Sequence, residues 1–303
     1  MSMLSDIILR TRADLDERRS RLPLSELQRI AEDMPPPRSL KDSLSTGFSI
    51  IGEIKRRSPS AGEMNSRNVA DALDVYNDSP IIAAISVLTD EPFFGGSLDR
   101  LWQVRKATSK PILRKDFIID EYQVWEARAF GADAILLMCA VHEHQPSQLK
   151  SLHELAKSLG LQALVEIGMS EAGPEQQSAI VPRDAEIRGI NSRHYGSPFK
   201  LKMRASRLLG QDFTTSLSRH QQLRRLIPPG MIAVAESGIH KPGDIDALVH
   251  LGYNAALIGT VFLKGPRRVA DVVSAFAERI ANLKQGAAHI AHSGLAWRRT
   301  APR

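Results

Sequence analysis

A single cysteine, Cys139, stands in a chain of 303 residues. No intrachain disulfide can form, so the chain is expected to work in a reducing compartment, the cytoplasm. The thiol lies in the apolar run 134–141 and reads as a core residue rather than a nucleophile. Aromatic residues make up only 5% of the chain, and its lysines and arginines are dispersed among acids. Despite a net charge of +6 and a pI near 9.5, that pattern lacks the clustered bases and interleaved aromatics of a nucleic-acid surface, and no nucleic-acid partner is expected. Mild positive charge also suits an enzyme of anionic substrates. No apolar run approaches the ~18 residues that would cross a bilayer, so no membrane partner is expected either. Asp6 and the charges after it occupy the stretch that a signal peptide would keep apolar. No Gly-x-Gly-x-x-Gly follows the first apolar run, which removes the dinucleotide signature of a doubly wound sheet. His142-Glu143-His144 is an isolated His-x-His read as a surface loop, and no metal site is expected from it.

What is present is ordinary in bulk, with 43% hydrophobic and 24% charged residues, and regular in order. One phrase repeats: a short β-rich apolar run, a polar turn, then an amphipathic stretch. The runs are Phe48–Ile51, Ile82–Leu88, Ile112–Arg114, Ala134–Met138, Gln162–Val165, Ile187–Ile190, Met231–Ala235 and Ala255–Ile258. They are continuous rather than alternating, as strands covered on both faces should be. Helical stretches between them stop at Gly131, Gly160 and near Gly252. Eight such units predict an α/β chain folded as a (β/α)8 barrel over residues 48–284. Residues 1–47 read as a helical extension, Met3–Arg18 and Leu22–Glu32 stopped by Pro35-Pro36-Pro37, capping one mouth of the barrel. The last outer helix is expected over Val269–Leu283, and residues 285–303 are expected to form a basic, poorly ordered tail.

In such a barrel the carboxyl ends of the strands form the site. Glu53 and Lys55 follow the first run, Lys115 and Asp116 the third, Glu166 the fifth, Asn191 and Arg193 the sixth, and Glu236 and Ser237 the seventh. Gathering carboxylates and lysines at one mouth is costly unless they pair and are used. Ser237-Gly238 and Gly259-Thr260 after the last two strands offer unobstructed backbone N–H groups where barrels often hold phosphate. These residues predict acid–base chemistry without a metal on a phosphorylated small molecule.

Longer phrases carry a resemblance. Glu53-Ile-Lys-Arg-Arg-Ser-Pro-Ser60, Ser86-Val-Leu-Thr-Asp-Glu-Pro-Phe-Phe-Gly-Gly-Ser-Leu98, Leu113-Arg-Lys-Asp-Phe-Ile-Ile-Asp120, Leu164-Val-Glu166, Gly189-Ile-Asn-Ser-Arg193 and Ala235-Glu-Ser-Gly-Ile239 resemble, in order, the signatures of the indole-3-glycerol phosphate synthase family. The resemblance runs from about residue 4 to residue 280. It implies the decarboxylating, dehydrating ring closure of 1-(2-carboxyphenylamino)-1-deoxyribulose 5-phosphate to indole-3-glycerol phosphate in tryptophan biosynthesis, by a lyase without a cofactor. It further implies Lys115 as general acid, Glu166 in the dehydration, Glu53 as proton acceptor or as the group orienting Lys55, and Glu236 as a brace. Asn191 and Arg193 would position the substrate. Lys55, Ser58, Ser237, Gly238, Gly259 and Thr260 would surround the phosphate, and Phe94, Phe117 and Leu136 would wall the anthranilate ring. Relatives suggest a monomer or weak homo-oligomer. Three departures stand out: Asn191-Ser192-Arg193-His194 replaces the family's usual Asn-Asn-Arg followed by Asp or Asn, Ile167-Gly168 follows Glu166 where a His or Asn is common, and the stretch 195–213 reads as ~10 residues longer than usual. They leave open an alternative, a diverged paralogue of this barrel acting on a related phosphorylated substrate.

Overall fold

The computed structural model describes residues 3–170, 172–194 and 216–292. The chain opens with helices α1 (Met3–Arg21), α2 (Leu24–Asp33) and the single turn α3 (Leu40–Ser43). Strand β1 (Ser49–Ile54) follows, then a two-residue ribbon pairing Arg57–Ser58 antiparallel with Gly62–Glu63, and α4 (Ser66–Asp78). Next come β2 (Ile82–Leu88), α5 (Glu91–Phe94), α6 (Leu98–Ala107), β3 (Ile112–Lys115), α7 (Glu121–Ala129), β4 (Ala134–Met138), α8 (Cys139–His142) and α9 (Pro146–Ser158). The chain continues through β5 (Gln162–Met169), α10 (Pro174–Ile180), β6 (Ile187–His194), α11 (Ser216–Leu223), β7 (Ile232–Glu236), α12 (Asp244–His250), β8 (Ala255–Ile258), α13 (Thr260–Leu263) and α14 (Val269–His292). The eight strands are parallel and close on themselves, β1 pairing with β2 on one side and β8 on the other. This is the expected (β/α)8 barrel.

Two apolar layers follow from the two-residue period of a strand. Ile50, Ile112, Ile135, Val165 and Ala235 face outward and join the core beneath the helices, with Tyr76, Phe262 and Phe276. Their chain neighbours Ile51, Leu113, Leu136, Leu164 and Val234 face inward and fill the barrel. Helix starts carry the side-chain caps that satisfy their first amides: Asn65 for α4, Asp90 for α5, Ser97 for α6 and Asp120 for α7. Gly131, Gly160 and Gly252 end helices with positive φ, as their positions predict.

Three expectations need correction. β1, β5, β6 and β7 extend past the apolar runs to include Glu53, Glu166, Asn191 and Glu236. Those polar residues therefore continue the strand ladder instead of beginning a loop. The N-terminal extension does not cap one mouth alone. Met3 and Ile7 of α1 line the cavity at the carboxyl ends of the strands, while α3 sits at the opposite end. There Leu40 and Leu44 enter the inner core, and the Lys41 N–H donates to Gln162 at the start of β5. Finally, α14 runs on to His292 rather than stopping at Leu283. The run Gly286-Ala-Ala-His-Ile-Ala-His292 is rich in alanine, the strongest helix former, which outweighs its low polarity contrast. The longer stretch expected over 195–213 lies outside the described residues, as does most of the expected tail, 293–303.

Candidate active site

The inward-facing residues predict the site by simple counting. Two residues beyond each inner apolar residue, the same strand face presents Glu53 after Ile51, Lys115 after Leu113, Glu166 after Leu164 and Glu236 after Val234. Asn191 and Arg193 continue the inward face of Ile187 on β6. A polar layer is thus stacked directly on an apolar one, at the carboxyl ends of the strands. Above it opens a cavity of about 580 Å³.

Lys115 occupies the centre of this layer. Its Nζ lies 3.4 Å from Glu166 Oε2 and 3.2 Å from Glu236 Oε2. Asn191 Nδ2 donates to the same Glu166 oxygen at 3.0 Å, and Asn191 Oδ1 accepts the Arg193 N–H at 3.0 Å. Burial pushes the Glu236 carboxyl up to about 8, with Glu166 adding to the rise and Lys115 opposing it. Glu236 therefore holds a proton at neutral pH and Lys115 is balanced by fewer than two full negative charges. Beside this trio Lys55 Nζ donates to Glu53 Oε1 in a buried pair. Burial raises the Glu53 pKa, but Lys55 and Lys115 together outweigh it and leave Glu53 below its ordinary value.

Close packing makes two glycines necessary. A Cβ on Gly189 would overlap Glu236 Oε1, and one on Gly259 would overlap the Glu53 carboxylate. Both acids need an adjacent strand with no side chain at that level. The remaining wall is apolar and aromatic: Phe94 and Phe117 face the cavity with ring centroids 6.2 Å apart, beside Leu136. Ser237, Gly238, Gly259 and Thr260 complete the rim at β7 and β8. Ser237 is the one non-glycine residue with positive φ (66°) among the described residues, and such strain concentrates at functional loops.

Most predicted residues thus converge, with two exceptions. Ser58 does not line the cavity; its Oγ accepts the Ala61 N–H at 3.1 Å and shapes the small ribbon, whose Pro59, Ser60 and Ala61 reach the cavity instead. Glu166 is buried behind Lys115 and acts on the cavity through it. The cavity also takes in Met3, Ile7, His240 and Lys264, which sequence reasoning missed. Lys264 follows Gly259-Thr260 by one turn of α13, a signal that was available in the spacing. Nothing local in α1 announces a site. His142, expected at the surface, is buried, with Nε2 3.0 Å from the Ile118 carbonyl, whereas His144 is 90% exposed in its side chain. The surrounding α8 is folded inward by Cys139 and Ala140, both buried. Among the described residues no group of three or more His, Cys, Asp or Glu side chains is placed to hold a metal ion, and no helix is long and apolar enough to cross a membrane.

The architecture and the mouth together define a (β/α)8-barrel enzyme built around paired lysines and carboxylates. The sequence profile of the indole-3-glycerol phosphate synthase family matches residues 4–274, and the chain belongs to that family. It is 37% identical over 284 residues to an indole-3-glycerol phosphate synthase of Kineococcus radiotolerans, covering 91% of this chain and 96% of that one. It is 40% identical over 267 residues to one of a Nocardioides species, covering 87% and 94%. Among solved structures, a 3-keto-L-gulonate-6-phosphate decarboxylase from Vibrio cholerae shares the fold, with a TM-score of 0.53 at 17% identity over 78% of this chain and 99% of that one.

Proposed function

We propose that this chain closes the indole ring of 1-(2-carboxyphenylamino)-1-deoxyribulose 5-phosphate, releasing carbon dioxide and water to give indole-3-glycerol phosphate, in tryptophan biosynthesis. The observation that carries the reading is Lys115 held between Glu166 and Glu236 at the floor of the cavity, beneath an aromatic wall and a glycine-rich rim. An ammonium flanked in this way is held aimed at the cavity, as a general acid must be. In the first half, Lys115 donates a proton to the substrate carbonyl oxygen as the ring carbon bearing the carboxylate bonds to the carbonyl carbon. The carboxylate then leaves as carbon dioxide, and its electron pair restores the aromatic ring. In the second half the new hydroxyl departs as water, protonated by Lys55, while the adjacent carbon loses a proton to Lys115, left neutral by the first half, which relays it to Glu166. Glu53 orients Lys55 beside the reacting centre, and Asn191 fixes the Glu166 carboxylate. Arg193 positions the substrate, and the Ser237–Gly238 and Gly259–Thr260 turns receive its phosphate. The steps are proton transfers by side chains, those of a carboxy-lyase.

Fluorescence-monitored turnover of this substrate tests the reading. Wild type is expected to form the indole product, and Lys115→Met to lose at least ~10³-fold in kcat, the upper part of the range for removing a general acid. Binding without turnover by wild type would refute it and favour a related phosphorylated substrate.

A further inference from the structure

The strained Ser237 turn is braced from behind by two buried side chains. Ser192 Oγ lies 3.2 Å from the Ser237 carbonyl oxygen and 3.3 Å from that of Glu236, so its one proton is shared between them. His220 Nε2 lies 3.2 Å from the same Ser237 oxygen. The other ring nitrogen, Nδ1, is buried without a partner. The proton therefore sits on Nε2, which donates to the carbonyl. The bracing group is itself held: the Tyr253 hydroxyl donates to the His220 carbonyl at 3.2 Å, and the Tyr253 ring meets the imidazole edge-on at 5.5 Å. Arg219 Nη1 donates to the Ser192 carbonyl at 2.6 Å, tying α11 to β6.

A trans peptide sets its C=O and N–H on opposite sides. Anchoring the Ser237 carbonyl into Ser192 and His220 therefore fixes the orientation of the whole Ser237–Gly238 peptide, including the face it turns to the cavity. We infer that Ser192 and His220 are positioning residues that hold this peptide for the substrate's phosphate, with Ser192 supplying the donor at the position where the family usually has Asn. Ser192 lies one residue from Asn191 and points away from the cavity, so one strand serves the acid–base layer on its inner face and the phosphate turn on its outer one. Burial pushes the His220 imidazole down to about 4, which keeps it a neutral donor across the physiological range.

The inference rests on the rim of β7 and β8 receiving phosphate, and its test is separable from the ring-closure reading. The full chain is titrated with inorganic phosphate, followed by ³¹P NMR, and assayed for kcat and KM with the carboxyphenylamino substrate. Ser192→Ala and His220→Leu should each weaken phosphate binding and raise KM about fivefold, roughly the worth of one hydrogen bond, with kcat within about twofold. Ser192→Thr, which keeps the hydroxyl, should restore both. A purely structural role would lower Tm and leave phosphate affinity and the KM-to-kcat split unmoved, and that result would overturn the inference. So would the absence of saturable phosphate binding in wild type, or equal losses in Ser192→Thr and Ser192→Ala. If His220→Leu fails to fold, the two Ser192 variants decide alone. If wild type binds phosphate but does not turn over, and Ser192→Ala weakens that binding, ring closure fails as a reading while the positioning role stands.

Discussion

Gly189 and Glu236 show how closely this site is fitted. Gly189 faces inward on β6, one strand from Glu236 on β7, and any Cβ there would overlap Glu236 Oε1 while standing 3.3 Å from Leu164 Cδ1. The backbone at Gly189 is ordinary strand, so alanine would bring no conformational strain, only displacement of the acid. Because Glu236 shares Lys115 with Glu166, moving it by a fraction of an ångström re-aims the ammonium. Gly189→Ala should therefore lower kcat by about 10–100-fold, the scale on which small misplacements act. The displaced atom is the end of a side chain, so the loss in Tm should be only a few degrees. Steady-state kinetics beside a thermal melt would check this, and a kcat that stays unchanged would mean Glu236 can shift without disturbing Lys115.

At the level of the element, β3 carries two roles on alternate residues. Lys115 points into the barrel, while its neighbour Arg114 points out and is fully buried against α7. There Arg114 donates to Asp116 at 2.8 Å, Glu126 at 2.7 Å, Thr89 at 3.0 Å and the Gln123 carbonyl at 2.8 Å. Arg18 of α1 reaches the same Glu126 oxygen at 2.7 Å from a side chain 26% exposed, so the N-terminal extension is fastened to the strand that bears Lys115. Arg114→Met leaves Asp116 and part of Glu126 uncompensated in the interior and should cost about 3–5 kcal/mol in denaturant unfolding. Arg18→Met, at a wetter position, should cost only ~1 kcal/mol. Equal losses at the two positions would contradict the burial argument. Elements also mark the limit of what the chain shows before folding. Periodicity located all eight strands, and the polar residues at their ends named the acid–base layer, because strand geometry is local. It missed that Glu53, Glu166 and Glu236 lie within strands, since a charge in an apolar run reads as the end of one. It also missed Met3 and Ile7, whose helical spacing is satisfied equally by any apolar surface. Ser58 read as a ligand because it follows a strand, yet the ribbon turns its hydroxyl onto Ala61.

For the molecule as a whole, buried titratable groups set where along the pH scale the fold is most stable. Glu236 has a folded pKa of about 8 against an ordinary 4.5. Between those values the unfolded chain releases a proton that the fold retains, so stability falls as pH rises, by up to ~1.4 kcal/mol per pH unit, and levels off above pH 8. His220 acts in the opposite sense, with a folded pKa of about 4 against 6.5. From 6.5 down to 4 the unfolded chain takes up a proton that the fold refuses, so stability falls as pH drops. His142 and His153, also lowered by burial, reinforce this limb. Below about pH 4.5 Glu53 and Asp116 add to it, since their folded values are depressed and their stabilising contribution is lost on protonation. The opposing slopes of Glu236 and His220 overlap between 4.5 and 6.5 and tend to cancel there, which places the maximum of stability in mildly acid solution, below the pH at which the proposed acid–base cluster would operate. Replacing Glu236 by Gln removes its slope over the whole span from 4.5 to 8 and leaves the histidine limb unopposed. Unfolding free energies at pH 6, 7 and 8 should fall in wild type and stay level in Glu236→Gln, while from pH 6 to pH 4 the variant should lose more stability than wild type. Parallel curves for the two proteins above pH 6 would mean that Glu236 is ionised in the fold and that Lys115 is balanced by both acids at once.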